Sequence, residues 1–511
     1  IHAYDVIRDP ESCLVGSEMC IRDSYWGDTH LHSALSSVAF GLGVTLGPEA
    51  AFRFASGETV TSTGGIEVRL SRPLDFMVLA DHAESLGMMN LVKAGDSRVI
   101  GDPEIERWYQ LLNGSASERK LFQQEFFQRK TRQVAFQKLS AASTPALGLS
   151  IWNDLLSVAE KYNRPHRFTA LLGFEWTSAP GGSNLHRVVI FRDDREKVGE
   201  VLPLSSRGRA PVDELWEYLA DYEKSTGGQV LAIPHNGNLS NGLMFPVAER
   251  YGEGDVDSDY ATRRARWEPV VEVTQIKGDG ETHPLLSPDD EFADYESWDA
   301  GNFEGQPKTD AMFEFEYARS ALKNGLALGH QLGTNPYKFG MIGSTDAHTA
   351  LAAVEENNFF GKHSGVEPTA KRWSRLVGTA GEQAVKGWQQ ASSGYAAVWA
   401  QENTRESVWD AIKRREVYAT TGSRIRVRFF GGYDFEAIDA SSADLAAVGY
   451  NKGVPMGGVL EAAEQAPSFL VMAARDPLGA NLDRIQVVKG WIDAKGGLHE
   501  RIYNISWSGE R

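Results

Sequence analysis

The chain has 511 residues, of which 42% are hydrophobic and 24% charged, with a formal net charge of −17 and a sequence pI near 5.3. This length suits one large catalytic domain with a smaller appendage, and the composition is that of a globular protein with a sizeable core. The acidic balance and the lack of a Lys/Arg run argue against a nucleic-acid partner, and no apolar stretch approaches the roughly 18 residues that a membrane span needs.

Residues 1–24 begin with Ile1 rather than Met and show neither helical nor strand periodicity. The stretch CLVGSEMCIRDS resembles translated sequencing-adapter sequence, so we interpret residues 1–24 as a non-native leader. Both cysteines, Cys13 and Cys20, lie inside it, which leaves the body without a disulfide, a thiolate nucleophile or a cysteine metal ligand. We expect a periplasmic or secreted protein whose native N-terminus has been replaced, with a cytoplasmic location left open.

From Tyr25 onward, short apolar runs alternate with longer helical-looking segments, which predicts an α/β protein. The runs predicted as strands are LDFMVLA (74–80), FTALLGF (168–174), HRVVIF (186–191), VLAIP (230–234), VVEVTQI (270–276) and GMIGS (340–344). A polar stretch at about 85–165 is predicted to be a helical insertion in a catalytic domain over 25–425. Past residue 425, strand-like runs without helical partners predict a small antiparallel β domain over 426–511, incomplete at its end.

Histidines and carboxylates collect where these strands end. His30 and His32 alternate in WGDTHLH, so both imidazoles face the same side of an extended strand. The other candidates at strand ends are the Asp81–His82 pair, Glu175, His186, His235, Asp346 and His348. A lone histidine at a strand end is more often structural, so it is the whole set that predicts one metal site at the strand ends of a β/α barrel. Nitrogen and oxygen ligands without sulfur favour Zn²⁺, Mn²⁺ or Fe²⁺.

The order of these motifs resembles that of the PHP superfamily of metal-dependent phosphoesterases. Longer stretches resemble its DUF3604 branch: QIKGDGETHPLLSPDDEFADYE (275–296), GMIGSTDAHTA (340–350), VEENNFFGKH (354–363) and ENTRESVWDAIKRREVYATTGSRIRVRFFGG (402–432). The resemblance runs from about Tyr25 to the end. It implies a distorted (β/α) barrel of the PHP type, with the small C-terminal antiparallel β domain truncated.

The resemblance also implies how two or three divalent ions would be held. One metal would lie on His30, His32, Glu175 and Asp346, and a second would share Glu175 with His186 and His235. A third would use His82 and His348 together with the side chain at position 38. Valine has no lone pair to offer, so Val38 leaves the third site short of a ligand.

A carboxylate that bridges two metals, the role assigned to Glu175, allows hydrolysis by a metal-activated water without a protein nucleophile. Lys277 is a candidate for holding a substrate anion, and His283 for protonating a leaving group or supporting a ligand, with a surface or structural role as the alternative for each. The leading hypothesis is a phosphomonoesterase or phosphodiesterase acting on a small molecule. A hydrolase of carboxylic esters, lactones or amides and a non-catalytic metal-containing binding protein stay open, as does the oligomeric state.

Overall fold

The computed structural model describes residues 22–128, 137–139, 142–252, 254–364, 367–380, 383–390 and 394–509, so residues 1–21 of the predicted leader lie outside the described residues. The strands are β1 (Asp23–Leu31), β2 (Val60–Thr61), β3 (Glu67–Val68), β4 (Phe76–Leu79), β5 (Thr169–Trp176), β6 (Arg187–Phe191), β7 (Val230–Pro234), β8 (Val270–Gln275), β9 (Gly278–Asp279), β10 (Gly340–Gly343), β11 (Leu376–Ala380), β12 (Gln383–Lys386), β13 (Ala396–Ala400), β14 (Val417–Ala419), β15 (Arg426–Gly432), β16 (Gly453–Pro455), β17 (Ser468–Ala474), β18 (Arg484–Ile492) and β19 (Leu498–Trp507). The α-helices are α1 (Ser37–Gly41), α2 (Pro48–Ala55), α3 (Met88–Ala94), α4 (Pro103–Asn113), α5 (Ala116–Phe127), α6 (Pro145–Tyr162), α7 (Arg195–Val198), α8 (Val212–Thr226), α9 (Ser258–Trp267), α10 (Asp310–Phe313), α11 (Ala318–Leu332), α12 (Arg405–Lys413) and α13 (Leu445–Lys452).

The largest sheet has seven strands in the order β14–β13–β1–β4–β5–β6–β7. β1, β4 and β5 are parallel neighbours, whereas β6 pairs antiparallel with both β5 and β7. A separate three-stranded sheet has the order β10–β8–β9, with β10 and β8 parallel. The predicted α/β class is confirmed. In the part of the chain that the structure describes, the strand ladders form a seven-stranded mixed sheet and several smaller sheets, and the ladders by themselves do not complete the distorted (β/α) barrel that the resemblance implies.

The antiparallel direction of β6 follows from the short loop 177–186 that joins it to β5. A parallel return would need a crossover of about a dozen residues or more, usually a helix. The loop instead turns back directly, so that Glu175 pairs with Val188 and Trp176 with Arg187. The start of β6 therefore lies at the same edge of the sheet as the end of β5, which brings His186 beside Glu175.

The large sheet is apolar on both faces, because alternate residues of its strands enter different buried clusters. On β4, Met77 and Leu79 join one cluster together with side chains of α2 and α6, while Phe76 and Val78 join another. The second cluster also contains Val270 of β8, so the smaller sheet packs against the larger one across it. With both faces covered, polar side chains are left for the strand ends.

Helices α3 to α6 lie between β4 and β5, within the range 85–165 where the sequence predicts a helical insertion. They have a core of their own around the buried Trp108, whose ring centroid lies 5.4 Å from that of Phe122 and 5.8 Å from that of Phe126. Residues 129–136 and 140–141 of this range lie outside the described residues. The described part of the insertion therefore has a hydrophobic cluster of its own beside the sheet.

The first strand, β1, begins at Asp23 and so includes the last two residues of the predicted leader, whose bounds stay a prediction. Asp23 and Ser24 pair with Ala400 and Trp399 of β13, so both belong to the large sheet. The ladder between β1 and β13 continues from Tyr25 towards the N-terminus as far as Asp23. No change in the sequence pattern marks the start of this strand.

Residues 426–509 form a three-stranded sheet, β16–β15–β17, and a hairpin, β18–β19. The sequence predicts strands alone here, whereas the structure adds helix α13. The hairpin is tied to the rest of the chain through Glu500, which accepts hydrogen bonds from Ser287 and Arg319 at 2.7 Å each. None of the described helices is long and apolar enough to cross a membrane.

Candidate metal centre

The predicted ligands meet at one edge of the sheets, and all eight are buried. His30 lies near the end of β1 and His32 directly after it. Glu175 lies near the end of β5, His186 immediately before β6, and His235 directly after β7. Five of the eight ligands are thus positioned by the strands, which carry their side chains to a common edge.

The carboxylate of Glu175 lies at the middle of this cluster. Its Oε1 is 2.7 Å from Nδ1 of His186 and 2.9 Å from Nε2 of His235. Its Oε2 is 2.6 Å from Nδ1 of His82 and 3.4 Å from Nε2 of His32. The two oxygens thus face different groups of imidazoles, which is the arrangement that a carboxylate bridging two cations requires.

Asp346, on the loop after β10, is the second carboxylate of the centre. Its Oδ1 is 3.3 Å from Nε2 of His32 and 3.7 Å from Nε2 of His30. Its φ of 49° lies in the left-handed region that residues other than glycine rarely adopt. Its N–H donates to the carbonyl of His30 at 2.7 Å, and the N–H of His32 donates to that of Ala347 at 3.0 Å. These hydrogen bonds hold the strained loop against the end of β1.

His82 and His348 lie on the far side of His32, with ring centroids 4.5 Å and 4.0 Å from its own. Ligand atoms of these three imidazoles all lie within 4.8 Å of one another. The family resemblance places residue 38 in this third group, but Val38 is half-buried in α1 and His32 supplies the third imidazole. Occupation of this group by a third ion stays a prediction.

The donor atoms fit divalent cations. Four sets of three ligand atoms lie within 4.8 Å of one another: His32, His82 and His348; His30, His32 and Asp346; His30, His235 and Glu272; and Glu175, His186 and His235. Nε2 of His186 is buried and has no hydrogen-bond partner among the described residues. Buried lone pairs directed at one another are unfavourable unless they share a cation. Imidazole and carboxylate donors suit Zn²⁺, Mn²⁺ or Fe²⁺.

Three of the groups around Glu175 have pKa values that favour the protonation states needed for metal binding: His186, His235 and Glu175 itself. Burial lowers the pKa of His186 to about 3 and that of His235 to about 4, in both cases against the pull of the Glu175 carboxylate. Burial raises the pKa of Glu175, but the neighbouring charge of His82 and the hydrogen bonds from His186 and His235 outweigh burial and bring that pKa well below its usual range. Neutral imidazoles and an ionised carboxylate are the forms that ligate metal ions.

Glu272, in β8, is part of the centre although it is not among the predicted ligands. Its Oε2 lies 3.0 Å from Nδ1 of His30, and its Oε1 accepts a hydrogen bond of 3.0 Å from Gln275. A carboxylate on Nδ1 selects the tautomer of His30 whose Nε2 lone pair faces the centre. The signal in the sequence is a glutamate inside the apolar run VVEVTQ, because a buried carboxylate needs a partner.

The two residues predicted to act on the substrate are placed differently. Lys277 reaches the centre, where its ammonium forms an ion pair with Oδ2 of Asp346. His283 instead has Nε2 at 3.1 Å from Oδ2 of Asp299, and its ring centroid lies 4.3 Å from that of Phe313. The contacts described for His283 are thus outside the metal centre, and its role as an acid stays a prediction.

Two further residues of the centre carry no signal in the sequence. Lys362 donates a hydrogen bond of 2.7 Å to Oδ1 of Asp346. The ring of Phe303 is 44% exposed and its centroid lies 5.7 Å from that of His186, so it forms an apolar part of the rim. Both lie in loops, and only the fold brings them to the strand ends.

The fold and the site define a mixed α/β protein with a buried His/Asp/Glu centre suited to divalent metals. A family model described as "Protein of unknown function (DUF3604)" matches residues 20–511, and the chain belongs to this family. An uncharacterized protein of Chlamydia muridarum is 24% identical over 272 residues, which make up 52% of this chain and 31% of that protein. The chain thus spans about a third of the length of this curated relative.

A solved structure is also similar. It is the crystal structure of a two-domain protein from Bacteroides vulgatus containing a predicted PHP-like metal-dependent phosphoesterase. The comparison covers 95% of this chain and 94% of that chain, with 10% sequence identity and a TM-score of 0.32.

Proposed function

We propose that the protein is a metal-dependent hydrolase of phosphate esters. The observation that carries the proposal is the convergence of six imidazoles and three carboxylates on one buried centre, with the two oxygens of Glu175 facing different imidazole groups. We extend the proposal to the fold, in which the two sheets that share an apolar cluster together make up a distorted barrel of the PHP type.

Glu175 and the imidazoles on either side of it would hold divalent cations, which would supply polarisation of a phosphoryl group, activation of a water molecule and stabilisation of the leaving oxygen. The residues of the chain provide the framework for this chemistry. Glu175 sets the spacing between the two imidazole groups, and Glu272 orients His30. Burial of the ligands excludes bulk water, which strengthens every electrostatic interaction in the centre. A small-molecule substrate would enter past Phe303.

We expect the purified protein to contain at least two divalent metal ions per chain. Elemental analysis of the full chain measures this directly, before and after dialysis against a chelator. Activity on an aryl phosphate should disappear with the metal and return when Mn²⁺ or Zn²⁺ is added. Less than one ion per chain, with no gain of activity on adding metal, would contradict the proposal.

The same preparation separates the proposed function from its alternatives. Hydrolysis of an aryl acetate, a lactone or an amide but of no phosphate ester would identify a carboxylic ester, lactone or amide hydrolase built on the same centre. Full metal content without hydrolysis of any of these substrates would identify a binding protein whose metals are structural.

Phe303 provides a prediction about the rim. Because a contact with an aromatic ring contributes about 0.5–1.5 kcal/mol, we expect Phe303→Ala to raise KM for an aryl phosphate roughly threefold to tenfold. The value of kcat and the metal content should stay close to those of the unmodified protein. Phe469→Ala, which removes an exposed ring from β17, is the matched control and should leave KM unchanged. An unchanged KM in Phe303→Ala would mean that the substrate does not touch this ring.

A further inference from the structure

Two lysine ammonium groups meet on a single carboxylate of the metal centre. Lys362 donates to Oδ1 of Asp346 at 2.7 Å and also to the main-chain carbonyl of Asp346. Lys277 forms an ion pair with Oδ2 of the same carboxylate. The side chains of Lys277 and Lys362 are only 13% and 10% exposed, so both ammoniums are removed from bulk water.

Both lysines are held by their backbones beside the metal ligands. The carbonyl of Lys362 accepts a hydrogen bond of 2.7 Å from the N–H of His348. The carbonyl of Lys277 accepts one of 3.1 Å from Asn238, and its N–H donates to Gln275 at 3.1 Å. Because each lysine is held at its backbone, both side chains direct Nζ to the carboxylate of Asp346. Surface lysines instead extend Nζ into the solvent.

Two buried lysine nitrogens converge on the one carboxylate of Asp346. One carboxylate serves two buried ammoniums, and its Oδ1 also faces the imidazoles of His30 and His32 as a metal ligand would. The other carboxylates of the centre, Glu175 and Glu272, are engaged by histidines. A lysine nitrogen has up to three N–H donors, so the two nitrogens together have more donors than the two oxygens of Asp346 can accept. A bound anion would supply the missing acceptors.

We propose that Lys277 and Lys362 bind the terminal, doubly charged phosphate of a phosphate monoester, which makes monoesters the substrate class of the centre. This inference rests on the proposed hydrolase function. A monoester is largely a dianion at neutral pH, because its second pKa is about 6, and it has three non-bridging oxygens to share between the cations. A diester carries one negative charge and a carboxylic ester none. Neither therefore has enough charged oxygens to bind both lysines in addition to the metal ions.

Binding of inorganic phosphate to the metal-loaded protein tests the anion site without requiring turnover. Charge-assisted hydrogen bonds contribute about 1.5–3 kcal/mol, so calorimetry should show Kd for phosphate rising about tenfold or more in both Lys277→Met and Lys362→Met. Metal content per chain should remain that of the unmodified protein. Lys452→Met, which removes a lysine paired with Asp439 in the C-terminal part, is the control and should bind phosphate normally. Unchanged phosphate affinity in both centre variants would overturn the inference, as would weaker binding that only follows a loss of metal.

Turnover distinguishes this inference from the proposed function. With 4-nitrophenyl phosphate and bis(4-nitrophenyl) phosphate, we expect kcat/KM to favour the monoester about tenfold or more, and either lysine variant to narrow that preference. Faster hydrolysis of the diester, unaffected by either substitution, would overturn the inference and leave the phosphoesterase proposal standing. Phosphate binding that depends on both lysines, without hydrolysis of any ester, would support the anion site and contradict the hydrolase.

Discussion

Glu175→Gln is expected to lose most of the bound metal and to lower turnover roughly a thousandfold, equivalent to about 4 kcal/mol of transition-state stabilisation. The reason is the position of the carboxylate between two imidazole groups, with Oε1 facing His186 and His235 and Oε2 facing His82 and His32. A neutral amide offers one oxygen and one N–H₂ group, so it cannot bridge two cations. The imidazole groups on both sides of residue 175 should therefore lose metal affinity together.

Metal content, circular dichroism and steady-state kinetics of the same preparation measure this effect. His235→Ala should act more locally, because it removes a ligand from only one side of Glu175, and should retain part of the metal. Glu223→Gln, which alters a carboxylate paired with the exposed Arg266, is the control and should keep full metal and activity. Near-normal turnover in a folded, metal-loaded Glu175→Gln protein would show that Glu175 is not the bridge.

Glu268→Ala is expected to destabilise the fold by about 3–5 kcal/mol, because it leaves two buried guanidinium groups without their partner. Oε1 of Glu268 accepts hydrogen bonds of 3.1 Å from Arg187 and from Trp216, and its Oε2 lies 3.1 Å from Nε of Arg264. Arg187 and Arg264 are both buried. Arg187 also follows His186 at the start of β6, so the loss of this ion pair should loosen a metal ligand as well.

Urea denaturation of the metal-free protein separates this effect from the contribution of metal binding. Glu223→Ala removes the partner of Arg266, whose side chain is 59% exposed, and should change the free energy of unfolding by no more than about 1 kcal/mol. Equal effects of the two substitutions would mean that the buried pair contributes no more than a surface pair. A second measurement, the metal affinity of folded Glu268→Ala, reports whether His186 has shifted.

The sequence by itself determined the α/β class and the chemical character of the site. The alternation of His30 and His32 and the positions of Glu175 and His235 at the ends of apolar runs depend on local backbone periodicity, which any short window of sequence contains. The absence of cysteine from the body restricted the donors to nitrogen and oxygen. The loop 177–186 is too short for a helical crossover, which indicates the antiparallel direction of β6.

Only the tertiary structure decided which residues complete the centre. Glu272 meets His30 across 242 positions of sequence, and Lys362 reaches Asp346 from a loop without periodicity. His32, rather than residue 38, joins His82 and His348, while His283 turns towards Asp299 although it lies close to Lys277 in the chain. Periodicity encodes the direction in which a side chain leaves its own strand. The partner that it finds there depends on how distant segments pack, and that is a property of the whole fold.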